Sequence, residues 1–324
     1  MSDLFDQLPE RARASVRTFQ TYTVRRGSRP TAQRPGGAKR LLQDVAAEIA
    51  IAYELDSGRP LSAFEKVLPD FGVRLRVDRN PLGNRRGELV PEPGGFVATI
   101  YDPQEKSASE LHQLEFQWTP SRTCRDIGSR ERVGRRGVFT ISHELAHVFF
   151  YRRDRPTATP RRIVPNPLSY RDDGREEGLC DDFAGAMLLP DCLAPALPAN
   201  PGLSDLVAAW KKWFVPFETI VRRSMYDWGL ANDLVVYRLR WTRGAWKPRP
   251  FWGYEYRRSR ARQEKAAGCM KSWLASRVKQ GDAMLADDIR NSLQESGVDS
   301  HCTGNEIWTV LDSEFLSERA PCVS

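Results

Sequence analysis

The chain has 324 residues, 40% of them apolar and 28% charged, and a net charge of +7. That is enough apolar content for one large domain or two modest ones, and no apolar run approaches the roughly twenty residues of a membrane span. The opening stretch Met1-Ser-Asp-Leu-Phe-Asp-Gln-Leu-Pro-Glu10 lacks the basic start and apolar middle of a secretory signal, and the six cysteines (124, 180, 192, 269, 302, 322) form no C-x-x-C pair, so a cytoplasmic protein with reduced thiols is expected.

Residues 1–40 carry nine Lys/Arg against three Asp/Glu, and Thr23 to Gly37 is rich in Arg, Pro and Gly. Residues 1–37 are therefore expected to be a flexible basic arm, solvated and available for nucleic-acid contact. From residue 38 the register changes. Leu41, Leu42, Val45, Ile49 and Tyr53 recur at helical spacing, Gly58-Arg-Pro60 ends that helix, and a short second helix is expected around Ala63 to Leu68. Three alternating stretches follow, Gly72–Val77, Gly95–Tyr101 and Leu114–Trp118, which are expected to pair as a small antiparallel sheet. His112, just before the third, is expected to be a surface residue and not a metal ligand.

Gly137-Val-Phe-Thr-Ile-Ser-His-Glu-Leu-Ala-His-Val-Phe-Phe150 is an apolar run that should be helical. Its His143 and His147, four apart, then stack on one face, where two neutral imidazoles can hold Zn²⁺ and the adjacent Glu144 can serve as a proton acceptor, the mechanical content of H-E-x-x-H. Arg152 to Asp173, with prolines at 156, 160, 165 and 167, reads as a mobile loop flanked by Tyr151 and Tyr170, which are expected to be ordinary interfacial tyrosines, with donation to an oxyanion as the alternative. Beyond it, Arg175 to Pro190 reads as a second helix. Glu177 is expected to be the third metal ligand, and Asp181, one turn on, to accept the outer N–H of a ligating histidine. Glu176, the rival ligand, lies on another face and is expected to be a solvated acid near the helix start, and Cys180 is expected to be a small buried residue, with a ligand or redox switch as the alternative.

With these residues in view, Phe139-Thr-Ile-Ser-His-Glu-Leu-Ala-His147 and Glu177-Gly-Leu-Cys-Asp-Asp-Phe-Ala-Gly-Ala-Met-Leu-Leu-Pro190 resemble the ImmA/IrrE family of metallo-endopeptidases. Its pattern is R-F-T-x-A-H-E-x-x-H followed by E-x-x-A-N-x-F-A-x-x-L-L-M-P. The resemblance, over about residues 40–230, implies zinc ligands at His143, His147 and Glu177 and a catalytic Glu144, in a zincin-like core where a small sheet packs on the H-E-x-x-H helix. The chain departs from the pattern at Val138, Ser142, Cys180, Asp181 and Met187, none of them a ligand position.

After Pro190, Leu203–Trp213 and Phe217–Trp228 read as amphipathic helices that could pass for a helix-turn-helix; the resemblance instead implies a helical cover for the catalytic unit. Past residue 230, strands are expected at Leu234–Trp241, Phe251–Tyr256 and Ile307–Leu311, with a helix near Glu264–Ala275. Tyr237 to Lys265 holds ten Lys/Arg against two Asp/Glu, interleaved with Trp241, Trp246, Phe251, Trp252, Tyr254 and Tyr256, a composition that suits nucleic acid as well as a solvated face. The expectation is thus an α+β protein with an arm at 1–37, a zinc metallopeptidase domain at 38–230, and a C-terminal α+β extension at 231–324. Its resemblance implies a narrow protein substrate, a repressor or antitoxin-like protein in a bacterial or phage-borne stress or defence circuit. The alternative is a catalytically idle, zinc-stabilised module that holds nucleic acid.

Overall fold

The computed structural model describes residues 5, 8–26, 37–78, 86–101, 112–114, 131–152, 155, 157–163, 173–230, 234–242, 245–253, 257–277, 286–295, 300–303 and 306–311. Contacts divide the chain into two units, Met1–Asp191 with Trp213–Pro216, and Cys192–Lys212 with Phe217–Ser324. Each mixes helices with a sheet, so the fold class is α+β. Among the described residues, no helix is long and apolar enough to cross a membrane.

In the first unit, much of the expected basic arm is helical. Helix α1 (Glu10–Arg26) buries Ala12, Val16 and Phe19, while Arg11 and Arg17 stay in solvent, and Phe5 ahead of it stacks on Phe149 at 5.5 Å. Three apolar residues at spacings of four and three suffice for a core-facing stripe, and the surrounding arginines masked them in the composition. Residues 27–36 lie outside the described residues. Helix α2 (Gly37–Ala52) forms as expected and buries Leu42, Val45, Ala46 and Ile49. Helix α3 (Leu61–Asp70) buries Phe64, Val67 and Leu68 and leads into the sheet.

That sheet is mixed, not antiparallel. Strand β1 (Val73–Asp78) runs parallel to β3 (Gly95–Tyr101), and β2 (Gly87–Glu92) lies antiparallel on the other side of β3, giving the order β1-β3-β2. The alternating pattern marks strands but not their partners. Here the tight β2–β3 turn at Pro93-Gly94, with Gly94 at φ 83°, commits one edge of β3 to β2 and leaves the other for β1. Strand β2 was not expected, because Gly87-Glu-Leu-Val-Pro-Glu92 carries a proline and two acids. Proline is tolerated on an edge strand, which β2 is among the described residues. The third expected strand is instead β4 (His112–Leu114), paired with β5 (Glu131–Val133) apart from this sheet; residues 115–118 lie outside the described residues.

Helix α4 (Arg135–His147) packs on β2 and β3, and a short 3-10 turn, Val148–Phe150, continues it. Strands β6 (Tyr151–Arg152) and β7 (Arg161–Arg162) then pair within the segment expected to be a loop. Helix α5 (Asp173–Leu188) packs against α4 and α2, burying Cys180, Phe183, Ala184, Met187 and Leu188. Phe149 is buried against Phe5, Phe71 and Phe183, with ring centroids 5.3 to 5.6 Å away. Burial of one such side chain stabilises by about 1.5–3 kcal/mol. Ser142 donates to the Met187 sulfur at 3.4 Å, and Lys39 pairs with Asp182 at 3.2 Å, so α4 and α2 are both pinned to α5.

The second unit is built on an antiparallel sheet of β8 (Val235–Thr242), β9 (Ala245–Trp252), β10 (Ser300–Thr303) and β11 (Glu306–Leu311), in the order β10-β11-β8-β9. Before it come α6 (Leu203–Lys212) and α7 (Phe217–Arg222), the latter running into a π-helical turn at Arg223–Asp227. Helices α8 (Arg260–Arg277) and α9 (Ala286–Glu295) pack Ala266, Met270, Leu274, Ile289 and Leu293 against Val235, Tyr237, Leu239, Trp246 and Ile307. Helices α6 and α7 group with this sheet, not with the domain expected to end at residue 230. Phe217 meets Trp308 edge-on at 4.9 Å, Trp210 lies 5.8 Å from His301, and Glu218 pairs with Arg238 and Arg249. Amphipathic periodicity identifies a helix face but not which sheet covers it.

Candidate metal centre

Helix α4 presents His143, Glu144 and His147, and α5 presents Glu176, Glu177, Cys180 and Asp181. Four-residue spacing brings the two imidazoles together, their ring centroids 5.1 Å apart. His143 Nε2 lies 3.0 Å from one Glu177 oxygen, and His147 Nε2 lies 3.5 Å from the other. The opposite nitrogens are each held by a different carboxylate. His143 Nδ1 is 3.0 Å from Asp181 Oδ1, and His147 Nδ1 is 2.8 Å from Glu176 Oε1. Carboxylates at both Nδ1 atoms hold a proton there, so both Nε2 atoms are directed toward the Glu177 side.

The expected ligands and Asp181 are therefore brought together. Glu176 is not the solvated acid expected of it. Its side chain is only 16% exposed, it bonds His147, and it receives two hydrogen bonds from Arg162, Nη1 to Oε2 at 3.1 Å and Nη2 to Oε1 at 3.0 Å. Arg162 sits on β7, so the paired part of the expected loop braces the site. A sequence signal for this was present, since Glu176 is three residues before Leu179 on a helix that had to face His147, but the direction in which α5 is rolled against α4 is a tertiary fact. Tyr151 is buried and accepts from Arg162 Nε at 3.3 Å, with the guanidinium 5.5 Å from its ring centroid, so its phenol helps to hold Arg162. Tyr170 lies outside the described residues.

Electrostatics follow from this packing. Burial alone would lower the His143 imidazole, but hydrogen bonds to Asp181 and Glu177 and the charge of Glu144 overcome it and raise it to about 10. Its partner Glu177 is lowered, chiefly by the same hydrogen bond to His143. Glu144 is 5% exposed, and burial raises its carboxyl, against the opposing pull of His147 and His143. A carboxyl raised in this way is a stronger proton acceptor than a solvated one.

These shifts set a pH dependence for metal-free protein. His143 is raised, so its share of stability is full below its ordinary 6.5 and is lost as pH climbs toward about 10. Glu177 is lowered, so its share of the same pair is present above its ordinary 4.5 and lost as pH falls below it. Chelated protein is expected to show a urea midpoint that declines between about pH 6.5 and 10, and His143→Ala is expected to flatten that decline. An unchanged alkaline limb in the variant would assign the decline to another group.

The edge strand β2 runs beside Glu144. A Cβ added at Gly87 would stand 2.3 Å from Glu144 Oε1 and 2.6 Å from Thr140 Cγ2, so only glycine leaves the carboxylate its position. Cys180, fully buried, has its thiol pushed well up by burial and by the nearby Glu176, Glu177, Glu144 and Asp181. A sulfur here was expected to be inert packing, yet it, one nitrogen of His143 and one of His147 all lie within 4.8 Å of one another.

No protein-family model and no curated protein matches this chain. Among solved structures, a Mycobacterium tuberculosis transcriptional regulator is similar, with 13% identity and a TM-score of 0.38 over 75% of this chain and 62% of that one. This chain thus spans less than two thirds of that regulator's length. A likeness of that size carries nothing about function, which rests on the site itself.

Proposed function

We propose that this chain is a zinc-dependent endopeptidase with a zincin-like core, acting in the cytoplasm on a specific regulatory protein. The observation that carries the reading is the convergence of His143 Nε2 and His147 Nε2 on the Glu177 carboxylate, at 3.0 and 3.5 Å, beside a buried Glu144. The donor set fits zinc. It offers two nitrogens with their tautomers fixed by Asp181 and Glu176, and one carboxylate that is 58% exposed and so reachable from solvent. Three protein ligands of this kind are the pattern of catalytic zinc, whereas structural sites have four, often cysteine. When bound, zinc would supply Lewis acidity, polarising a peptide carbonyl and making water acidic.

The chain's own residues would do the rest. Glu144 accepts the proton of the attacking water and passes it to the departing amine, a cycle its raised carboxyl suits. Strand β2, at the sheet edge, offers backbone groups to an extended peptide and holds it across Glu144. Gly87→Ala is accordingly expected to keep its metal and its fold while cleavage falls about a hundredfold, the scale of a 1 Å misplacement of a reacting group. Equal rates for variant and parent would remove Gly87 from the account. The motif resemblance points to a repressor or antitoxin-like substrate in a bacterial or phage-borne circuit.

The test is incubation of the purified chain with DNA-binding proteins encoded beside its gene. Two discrete fragments of one of them, absent after chelation and restored by zinc, would support the reading. Cleavage of none would favour the idle nucleic-acid-binding module. That second reading has less support. Trp246 and Phe251 are buried, so neither is free to stack on bases, and Arg238 and Arg249 pair with Glu218. Arg257 donates to the Met225 carbonyl at 3.1 Å and Arg260 pairs with Glu264. The side chains of Trp241, Tyr254 and Tyr256 lie outside the described residues.

A further inference from the structure

We propose that Cys180 can give its sulfur to the metal held by His143 and His147, so that the site has a resting form closed by a thiolate as well as a working form open to water. This rests on the metal-site reading above and deepens it. The three ligand atoms lie within 4.8 Å of one another, a spacing at which one ion can be shared. Cys180 is 0% exposed, and its thiol has no hydrogen-bond partner among the described residues. It sits three residues after Glu177 on the same helix, the second side chain of α5, after Glu177, placed against both imidazoles. The two differ sharply in setting, since Glu177 is 58% exposed while Cys180 is wholly enclosed.

The chemistry favours this use of the sulfur. Thiolate and imidazole are the preferred donors of zinc, and a bound dication drives off a thiol proton outright. On metal entry the S–H bond breaks, sulfur keeps the electron pair as thiolate, and the proton goes to bulk water. Were Cys180 to join His143, His147 and Glu177 on one ion, the metal would have four protein ligands, the closed arrangement of a structural site, and no position for water. Release of the sulfur reopens that position.

The experiment is the absorption spectrum of full-length protein loaded with Co²⁺, which reports sulfur ligation by a thiolate-to-cobalt charge-transfer band in the near ultraviolet, separate from the visible ligand-field bands. Wild type is expected to show both. Cys180→Ser and Cys180→Ala are expected to lose the near-ultraviolet band and keep the visible ones; alanine is the residue of the resembling motif at this position, so that variant is the one expected to fold. Visible bands in wild type without the charge-transfer band, or a charge-transfer band that survives in Cys180→Ala, would overturn the proposal and leave the His143, His147 and Glu177 site standing. Absence of visible bands in wild type would overturn both. Should both variants fail to fold by circular dichroism, X-ray absorption of the wild-type zinc protein decides, through the presence or absence of a sulfur neighbour.

Discussion

Glu144→Gln is expected to lower cleavage at least about a hundredfold, the usual scale for removing a positioned general base. The amide keeps the shape and volume of the carboxylate in a site where Gly87 leaves little room to spare, so fold and packing should persist. Glu144 lies outside the proposed ligand set, and zinc content should stay at the wild-type level. Three readouts therefore separate: metal retained, substrate bound, cleavage lost. Cleavage by the variant at the parent's rate would sink the mechanism. Loss of metal along with activity would instead make Glu144 part of the ligand set, which its position beside Thr140 and Gly87 argues against.

The second large effect concerns the ligands. Purified protein should hold about one zinc per chain, and Ala at His143, His147 or Glu177 should reduce that to near none, because each removes a donor that the open site depends on. Asp181→Asn and Glu176→Gln should act differently. Each weakens the carboxylate that orients a histidine, at 3.0 Å from His143 and 2.8 Å from His147, and such partners are worth about 10–100-fold in metal affinity. Both variants should fill with zinc at saturation yet lose it sooner to a competing chelator. If Glu176→Gln empties the site while Glu177→Ala leaves it filled, the ligand assignment is reversed.

Much of this centre was legible beforehand, for a physical reason. A helix converts a spacing of four into a shared face, so His143 with His147 and Glu177 with Asp181 could be paired from the sequence alone. What linear spacing does not carry is the rotation of one helix against another, and the role of Glu176 depended on it. The expected helices of the first unit are present, as is Leu234–Trp241 as β8, because strong apolar periodicity survives tertiary context. Strand β2 escaped notice because edge strands tolerate proline and charge, and α1 because arginines on its outer face dominated the composition. The second unit shows the opposite failure. Trp246 and Phe251 read as a surface suited to bases, yet both are buried, Trp246 in the cluster under the two following helices and Phe251 against Trp308.

Anomalous scattering at the zinc edge from crystals of the purified protein tests the whole account most directly. The account predicts one peak per chain, bonded to His143 Nε2, His147 Nε2 and the Glu177 carboxylate. A zinc-replete crystal with no peak between those three groups, or with its zinc on other residues, would contradict it.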